Sequence, residues 1–150
     1  MPVLRPVIAA TRTVAADPAS TALLLAGPAA LDFWPGMRRL IEAPDGRARA
    51  AWMLGGRCVP ILVGARPPRR TPTSFVTVFD VEADSDALPP LTGELTLTSC
   101  GRAGALCTAA RLELSSTLPV EPAAVRELRQ AGEVFLANLA CAAEQHATAA

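Results

Sequence analysis

Lysine and tyrosine are both missing from this chain, and every basic residue is an arginine. Without lysine, the protein cannot form a Schiff base with a carbonyl substrate. The 14 basic and 14 acidic residues cancel and form no basic block, which disfavours a nucleic-acid partner. The longest apolar run, residues 22–31, is interrupted by Gly27 and Pro28 and is too short to span a membrane. We therefore expect neither a nucleic-acid partner nor a membrane span.

Metal and cofactor motifs are lacking as well. The chain has one histidine, His146, and four cysteines without a Cys-x-x-Cys pair, so no metal site is expected. The two glycines in residues 101–104 belong to a hairpin turn rather than a phosphate loop, and no cofactor is predicted. The N-terminus shows no apolar run of signal-peptide length, which predicts a cytoplasmic protein with reduced thiols. A disulfide between Cys100 and Cys107 is therefore not expected.

Apolar residues, by contrast, are abundant. Hydrophobic residues make up 51% of the 150 residues and charged residues 19%, which is unlike a disordered chain. This length predicts one domain over residues 1–150 with a substantial core. The apolar surplus could line a pocket or a dimer interface, so a monomer and a homodimer both fit the composition.

Strong helix signals lie on both sides of a long central region. After a first strand within residues 3–15, Asp17-Pro18 provides an N-cap and a proline at the first helical position, and Gly27-Pro28 ends that helix. A second short helix, about residues 29–33, should end at Trp34-Pro35 because proline disfavours α conformation in the residue before it. Glu121-Pro122 opens a long helix that reaches about residue 146. Its apolar stripe consists of Val125, Leu128, Gly132, Phe135, Leu139 and Ala142.

Residues 37–117 alternate short strand-like runs with turn signals, as an antiparallel meander does. A two-residue turn at Asp45-Gly46 would place Glu42 opposite Arg49, an opposite-charge pair. This register puts Arg39 and Trp52 on the inner face. A shift of one residue would turn Arg38 inward instead, and the sequence does not decide between these two arginines.

Two further strands have clearer faces. In residues 74–83 the charged positions should face water, which turns an alternate set inward: Phe75, Thr77, Phe79 and Val81. A two-residue turn at Arg102-Ala103 would pair Thr98 with Cys107 and Glu94 with Arg111. The inner face of that hairpin then carries Leu91, Leu95, Leu97, Ser99, Leu106, Thr108, Ala110, Leu112 and Leu114.

The resulting fold class is α+β: a strand, two short helices, six more antiparallel strands and one long helix. This order resembles the helix-grip fold of the START-like superfamily (SRPBCC), which includes polyketide cyclases and plant carriers of hydrophobic ligands. The local resemblance lies in Thr13-Val14-Ala15-Ala16-Asp17-Pro18, Leu23-Leu24 and Phe33-Trp34-Pro35-Gly36. It implies a seven-stranded curved antiparallel sheet wrapped around the C-terminal helix, with a cavity for a hydrophobic small molecule between them.

The resemblance also implies two alternative functions, which fold alone does not separate. A polyketide cyclase/dehydratase-like enzyme of secondary metabolism would promote cyclisation, dehydration or isomerisation, and this is the preferred hypothesis. A carrier or sensor would only bind its lipid-like or polyketide ligand. The chain departs from the cyclases in having no tyrosine, and its histidine lies near the C-terminus. Catalysis would then depend on arginine, hydroxyl or carboxylate groups.

Two residues are candidates for that chemistry. Arg39 could hold a carboxylate or a developing enolate through charge-assisted hydrogen bonds, unless it is an exposed edge residue. Asp32 could act as a general base if an apolar wall raised its pKa, unless it is solvated. The predicted ligand-binding residues are Trp34, Trp52, Phe75, Thr77, Phe79, Leu97, Ser99, Thr108, Phe135 and Asn138. Their hydroxyl and amide groups could bind ligand oxygens or be satisfied by backbone and water.

Overall fold

An antiparallel sheet and one long helix account for most of the computed structural model, which describes residues 3–42, 47–84, 86, 88–101 and 106–149. The strands are β1 (Arg5–Val14), β2 (Met37–Glu42), β3 (Ala48–Leu54), β4 (Arg57–Ala65), β5 (Arg69–Arg70), β6 (Ser74–Ala83), β7 (Leu91–Ser99) and β8 (Thr108–Ser116). The helices are α1 (Pro18–Leu23), a 3₁₀ helix (Gly27–Phe33) and α2 (Pro122–Ala149).

Seven strands form one continuous sheet in the order β1-β8-β7-β6-β4-β3-β2, and the two-residue β5 pairs with β6. All the strand pairs are antiparallel. The sheet buries its inner face against α2 and the two short helices, so the core lies between one curved sheet and one long helix. The predicted α+β class and strand number are thereby confirmed.

The helix α2 packs closely on the sheet at Gly132. A Cβ atom at this position would lie 3.1 Å from Leu112 Cδ2 and 3.2 Å from Ile8 Cδ1, both on the inner face. Gly132 therefore lies over β1 and β8. No helix among the described residues combines the length and the apolarity that a membrane crossing would require.

The hairpin between β7 and β8 keeps its predicted faces but not its predicted pairs. Glu94 lies opposite Glu113 rather than Arg111, and Thr98 lies opposite Ala109 rather than Cys107. The predicted register is wrong by two residues, and the predicted turn at Arg102-Ala103 lies outside the described residues. Since side chains alternate with a period of two, the leucines of both strands still face inward. Leu106, expected on the inner face, precedes β8 and is 66% exposed.

The same register shift corrects the expectation for the cysteines. Cys100 and Cys107 are direct partners across the hairpin, with Cα atoms 5.3 Å apart, and a disulfide joins them. The backbone N–H of Cys100 also donates to the carbonyl of Cys107. The expectation of reduced thiols at these two positions, which came from the predicted cytoplasmic location, is therefore wrong. Cys58 and Cys141 are free and exposed.

The first hairpin also departs from its predicted register. Glu42 lies opposite Ala48 rather than Arg49, because the pairing shifts between Arg39 and Glu42. Arg39 pairs with Ala50, whose side chain is buried, so Arg39 rather than Arg38 holds an inner-face position of this edge strand. An irregularity inside a strand cannot be foreseen from the turn alone. The predicted turn at Asp45-Gly46 lies outside the described residues.

The start of α1 follows the predicted capping pattern. The backbone N–H of Ser20 donates to Asp17 Oδ2 at 3.1 Å, and Pro18 occupies the first turn, where its missing N–H costs nothing. Hydrogen bonds from the side chain and backbone of Ser20 lower the pKa of the Asp17 carboxyl. The cap sets the direction in which the chain leaves β1 towards the two short helices.

We expect Asp17→Ala to lower the free energy of unfolding by about 1 kcal/mol, because it removes the acceptor for the Ser20 N–H. The folded-state pKa of Asp17 is depressed, so its charge-dependent stabilisation is present above about pH 4 and is lost as pH falls through the folded pKa. Urea unfolding across this pH range measures the difference. Asp17→Asn, which keeps an acceptor without the charge, should show a pH-independent advantage over alanine; equal stability of all three proteins would contradict the prediction.

Candidate functional site

Aromatic side chains gather at one place between the sheet and α2. Trp34 stacks on Phe135 with ring centroids 4.4 Å apart, and it meets Trp52 and Phe79 edge to face at 5.6 and 6.4 Å. Phe33 contacts Phe135 edge to face at 6.5 Å. Five of the six aromatic residues of the chain therefore belong to this aromatic cluster. Residues from a helix end, two strands and α2 meet in it.

Backbone geometry brings Trp34 into the cluster. The 3₁₀ helix ends at Phe33, and the next residue, Trp34, takes an extended conformation before Pro35. The indole N–H of Trp52 donates to the Pro35 carbonyl at 3.1 Å and so fixes this exit to β3. On the other side, Asn138 Nδ2 of α2 donates to the Phe33 carbonyl at 2.8 Å. The end of the 3₁₀ helix is therefore held from both the sheet and the long helix.

Beside the aromatic cluster lies a cavity of about 350 Å³. Its walls come from the short helices, the inner face of β2, β3, β4, β6, β7 and β8, and one residue of α2. The lining residues are Leu25, Ala30, Leu31, Trp34, Met37, Ala48, Trp52, Ile61, Val63, Ala65, Thr77, Phe79, Val81, Leu91, Leu95, Leu114 and Phe135. This volume falls within the range of about 300–1,000 Å³ that is typical of small-molecule sites.

The cavity wall has very little polar character. Among the described residues none that lines the cavity is charged, and Thr77 is the only one of them that carries a hydroxyl. Neither the Thr77 hydroxyl nor the Trp34 indole N–H makes a hydrogen bond with any residue that the structure describes, although Trp34 is only 8% exposed. No group of potential metal ligands occurs among the described residues. The site is therefore apolar, with two side-chain donors that lack a protein acceptor.

Gly93 shapes the wall, although the sequence analysis gave it no role. It pairs with Phe79 between β7 and β6, and a Cβ at this position would overlap the Phe79 ring. The ring thus lies over the bare backbone of the neighbouring strand, a known way of filling the gap at a strand glycine. The sequence does contain a signal for this role, because Gly93 occupies an inward-facing position of β7 between Leu91 and Leu95.

Five of the predicted ligand-binding residues do line the cavity: Trp34, Trp52, Thr77, Phe79 and Phe135. Phe75 and Leu97 are buried in the core, as their strand faces predicted, but they are outside the cavity lining. The lining also includes Leu25, Met37 and Val63, which were not predicted. The alternation of Ile61, Val63 and Ala65 along β4 could have identified its inner face.

The remaining predicted polar contacts have other surroundings. The hydroxyl of Thr108 is buried and donates to the Ala16 carbonyl at 2.6 Å, so it ties β8 to the entry of α1. Asn138 is exposed and binds the Phe33 carbonyl. Ser99 belongs to the alternate set of β7 residues that face inward, but it is the last residue of the strand and is exposed. The expectation that Ser99 points into the cavity is therefore wrong, because its position is at the uncovered end of the sheet.

The two predicted catalytic residues bind each other. Arg39 Nε and Nη2 donate to the two carboxylate oxygens of Asp32 at 2.8 and 3.0 Å. Their side chains are 44% and 54% exposed, and neither is among the residues that line the cavity. Their neighbours Leu31 and Met37 do line it, so the ion pair is adjacent to the wall in sequence. The pair links the 3₁₀ helix to β2.

Comparison with known proteins identifies the fold but no family. No family model matches the chain, and no curated protein matches it. Similar solved structures include Ara h 8.0201 (TM-score 0.61, 9% identity, covering 94% of this chain and 98% of that one). Protein CV1439 from Chromobacterium violaceum gives 0.59, 15% identity, and 91% and 96% coverage. TTHA0849 from Thermus thermophilus gives 0.54, 18% identity, and 89% and 93% coverage.

These similarities extend over nearly the whole of each chain, and the arrangement they share is the helix-grip fold. At such low identities they establish the architecture only. The functional argument has to come from the cavity of this chain and from the groups that surround it.

We expect Gly93→Ala to force the Phe79 ring from its place, lowering the free energy of unfolding by about 1–3 kcal/mol. Urea denaturation measures this change. The double variant Gly93→Ala with Phe79→Leu removes the overlapping ring and should recover part of the loss relative to the sum of the single variants. Strict additivity of the two substitutions would show that Phe79 does not depend on Gly93.

Proposed function

We propose that this protein is a START-like helix-grip protein that binds a hydrophobic small molecule in its internal cavity. The supporting observation is the cavity of about 350 Å³ enclosed by apolar and aromatic side chains between the sheet and α2. A close-packed interior normally leaves few voids larger than a water molecule. Transfer of apolar ligand surface into such a cavity is favourable by roughly 25 cal/mol per Å².

A carrier or sensor role fits this geometry best. The part of the cavity wall that the structure describes includes no acid, base or histidine, and such groups would be needed to move protons within the cavity. The two hydrogen-bond donors, Thr77 and Trp34, can orient a ligand without changing it. Binding is then the function, and the aromatic cluster supplies the contact surface.

A polyketide cyclase-like activity is the second candidate, supported by the same two donors. A carbonyl oxygen that received hydrogen bonds from Thr77 and Trp34 would gain stabilisation as it developed enolate character. Confinement of one reactive conformer would supply much of the remaining effect. In this hypothesis Arg39 and Asp32 are the catalytic candidates, and their mutual ion pair would have to open towards the substrate.

Cavity filling tests the binding proposal directly. We expect Ala48→Phe, which adds a ring on the inner face of β3, to weaken binding of the neutral fluorescent probe N-phenyl-1-naphthylamine at least tenfold. Ala51→Phe is the matched control because it places the same ring on the outer face of the same strand. Fluorescence titration measures both affinities. If the parent protein does not bind the probe, or both variants bind it like the parent, the cavity is not the binding site.

The ion pair separates the two candidate functions. For a carrier, Arg39→Ala and Asp32→Asn should leave probe affinity within about threefold of the parent, because an exposed ion pair contributes only about 0–1 kcal/mol. A cyclase would instead lose turnover of a poly-β-keto test substrate in both variants. The measurement is product formation by mass spectrometry beside the fluorescence titration. Turnover by the parent that both variants lack would replace the carrier proposal with the enzymatic one.

A further inference from the structure

We infer that the cavity selects a compact, electrically neutral aromatic molecule that carries a hydrogen-bond acceptor, and that it rejects carboxylates of the same shape. This inference rests on the proposed binding function and specifies the class of ligand. It follows from three properties of the wall: its lack of charge, its aromatic content and its two free donors.

The lack of charge excludes an ionised ligand. No arginine and no acidic residue is among the described lining residues. Asp32, which follows Leu31, and Arg39, two residues after Met37, form an ion pair with each other. An anion inside the cavity would lose its water shell without gaining a charged partner. Desolvation of an unpaired charge costs far more than a neutral hydrogen bond returns.

The aromatic content favours a ring system over an alkyl chain. Four lining residues are aromatic, and they already contact one another in both stacked and edge-to-face geometry. A planar ligand can extend this arrangement and gain ring–ring attraction beyond the burial of its surface. A flexible chain of equal size gains only the burial and loses rotational freedom. The volume of about 350 Å³ also restricts the ligand to a compact molecule.

The two donors specify an acceptor. Thr77 lies on β6 two residues from Phe79, on the same inner face, and its hydroxyl makes no hydrogen bond within the described part of the chain. The indole N–H of Trp34 likewise has no acceptor there, and neither donor atom is among the buried atoms without a partner, so both are accessible to a small molecule. A ligand that covered these donors without accepting from them would leave them unpaired, which is costly, whereas a carbonyl or ether oxygen would satisfy them. The donors therefore favour a neutral oxygen acceptor on the ring system.

A set of matched compounds tests each property by displacement of N-phenyl-1-naphthylamine from the parent protein. We expect 2-acetylnaphthalene to bind about 3- to 10-fold more tightly than 2-ethylnaphthalene, which has a similar shape but no acceptor. Ionised 2-naphthoate should bind at least tenfold more weakly than 2-acetylnaphthalene. The ketone 2-dodecanone has the same number of carbon atoms without rings and should also bind more weakly. Equal or tighter binding of naphthoate or dodecanone would overturn the inference.

A pair of threonine variants assigns the acceptor contact. Thr77→Val removes the hydroxyl with little change of shape and should abolish the preference for the acetyl over the ethyl compound. Thr96→Val is the control, because Thr96 lies on the outward-facing set of β7 and does not line the cavity. If Thr77→Val kept the full preference, the hydroxyl would not be the acceptor's partner. Failure of the probe and of every naphthalene to bind would instead reject the proposed function itself.

Discussion

The stacking of Trp34 on Phe135 is the centre of an aromatic cluster that joins the short helices, the long helix α2 and the sheet. Trp34 ends the short helical segment, Phe135 belongs to the long helix, and Trp52 and Phe79 bring in two strands of the sheet. Aromatic side chains cover more area than any other residues and keep few conformations, so a small number of them can fix distant elements. Four of these aromatic residues, Trp34, Trp52, Phe79 and Phe135, also line the cavity, so the same side chains connect the layers and form part of the cavity wall.

One helix is narrower than the seven-stranded sheet that it covers. At Gly132 the helix backbone comes close to β1 and β8, where a Cβ atom would already be in tight contact with Leu112 and Ile8. Towards β3, β4 and β6 the short helices complete the cover, and the cavity lies there. Close packing at one side and incomplete filling at the other are thus consequences of a single asymmetric placement of α2.

Polar groups around the cavity are used mainly for construction. Thr108 and Asn138 bind backbone carbonyls of the segments that flank the short helices, and the Trp52 indole binds that of Pro35. Asp32 and Arg39 join the 3₁₀ helix to β2 at the surface. For Thr108 and Asn138 the sequence left a ligand contact and a structural contact equally open, and the structure gives both a backbone carbonyl as partner, the commonest kind for a side-chain donor. Within the described residues, Thr77 and Trp34 remain as donors without such partners.

Local rules determined much of this protein from the sequence alone. Short-range preferences and the periods of strands and helices are enough to predict several features. These are the cap at Asp17, the inner face of β6, the apolar stripe of α2 and the α+β class. Strand faces survived a register error of two residues because side chains alternate with that period. For this reason the leucines of β7 and β8 face inward as predicted, although their strand pairs were predicted wrongly.

Only the tertiary structure decided which inward-facing residues line the cavity and which pack against other protein atoms. Thr77 and Thr108 both face inward, yet one borders the cavity and the other binds Ala16, a partner 92 residues away in the chain. Three further features likewise depend on exact register and on contacts between distant elements. They are the ion pair of Arg39 with Asp32, the packing of the Phe79 ring over Gly93, and the position of the two bonded cysteines directly opposite each other. Periodicity gives the direction of a side chain, whereas its neighbours depend on how the sheet curves around the helix.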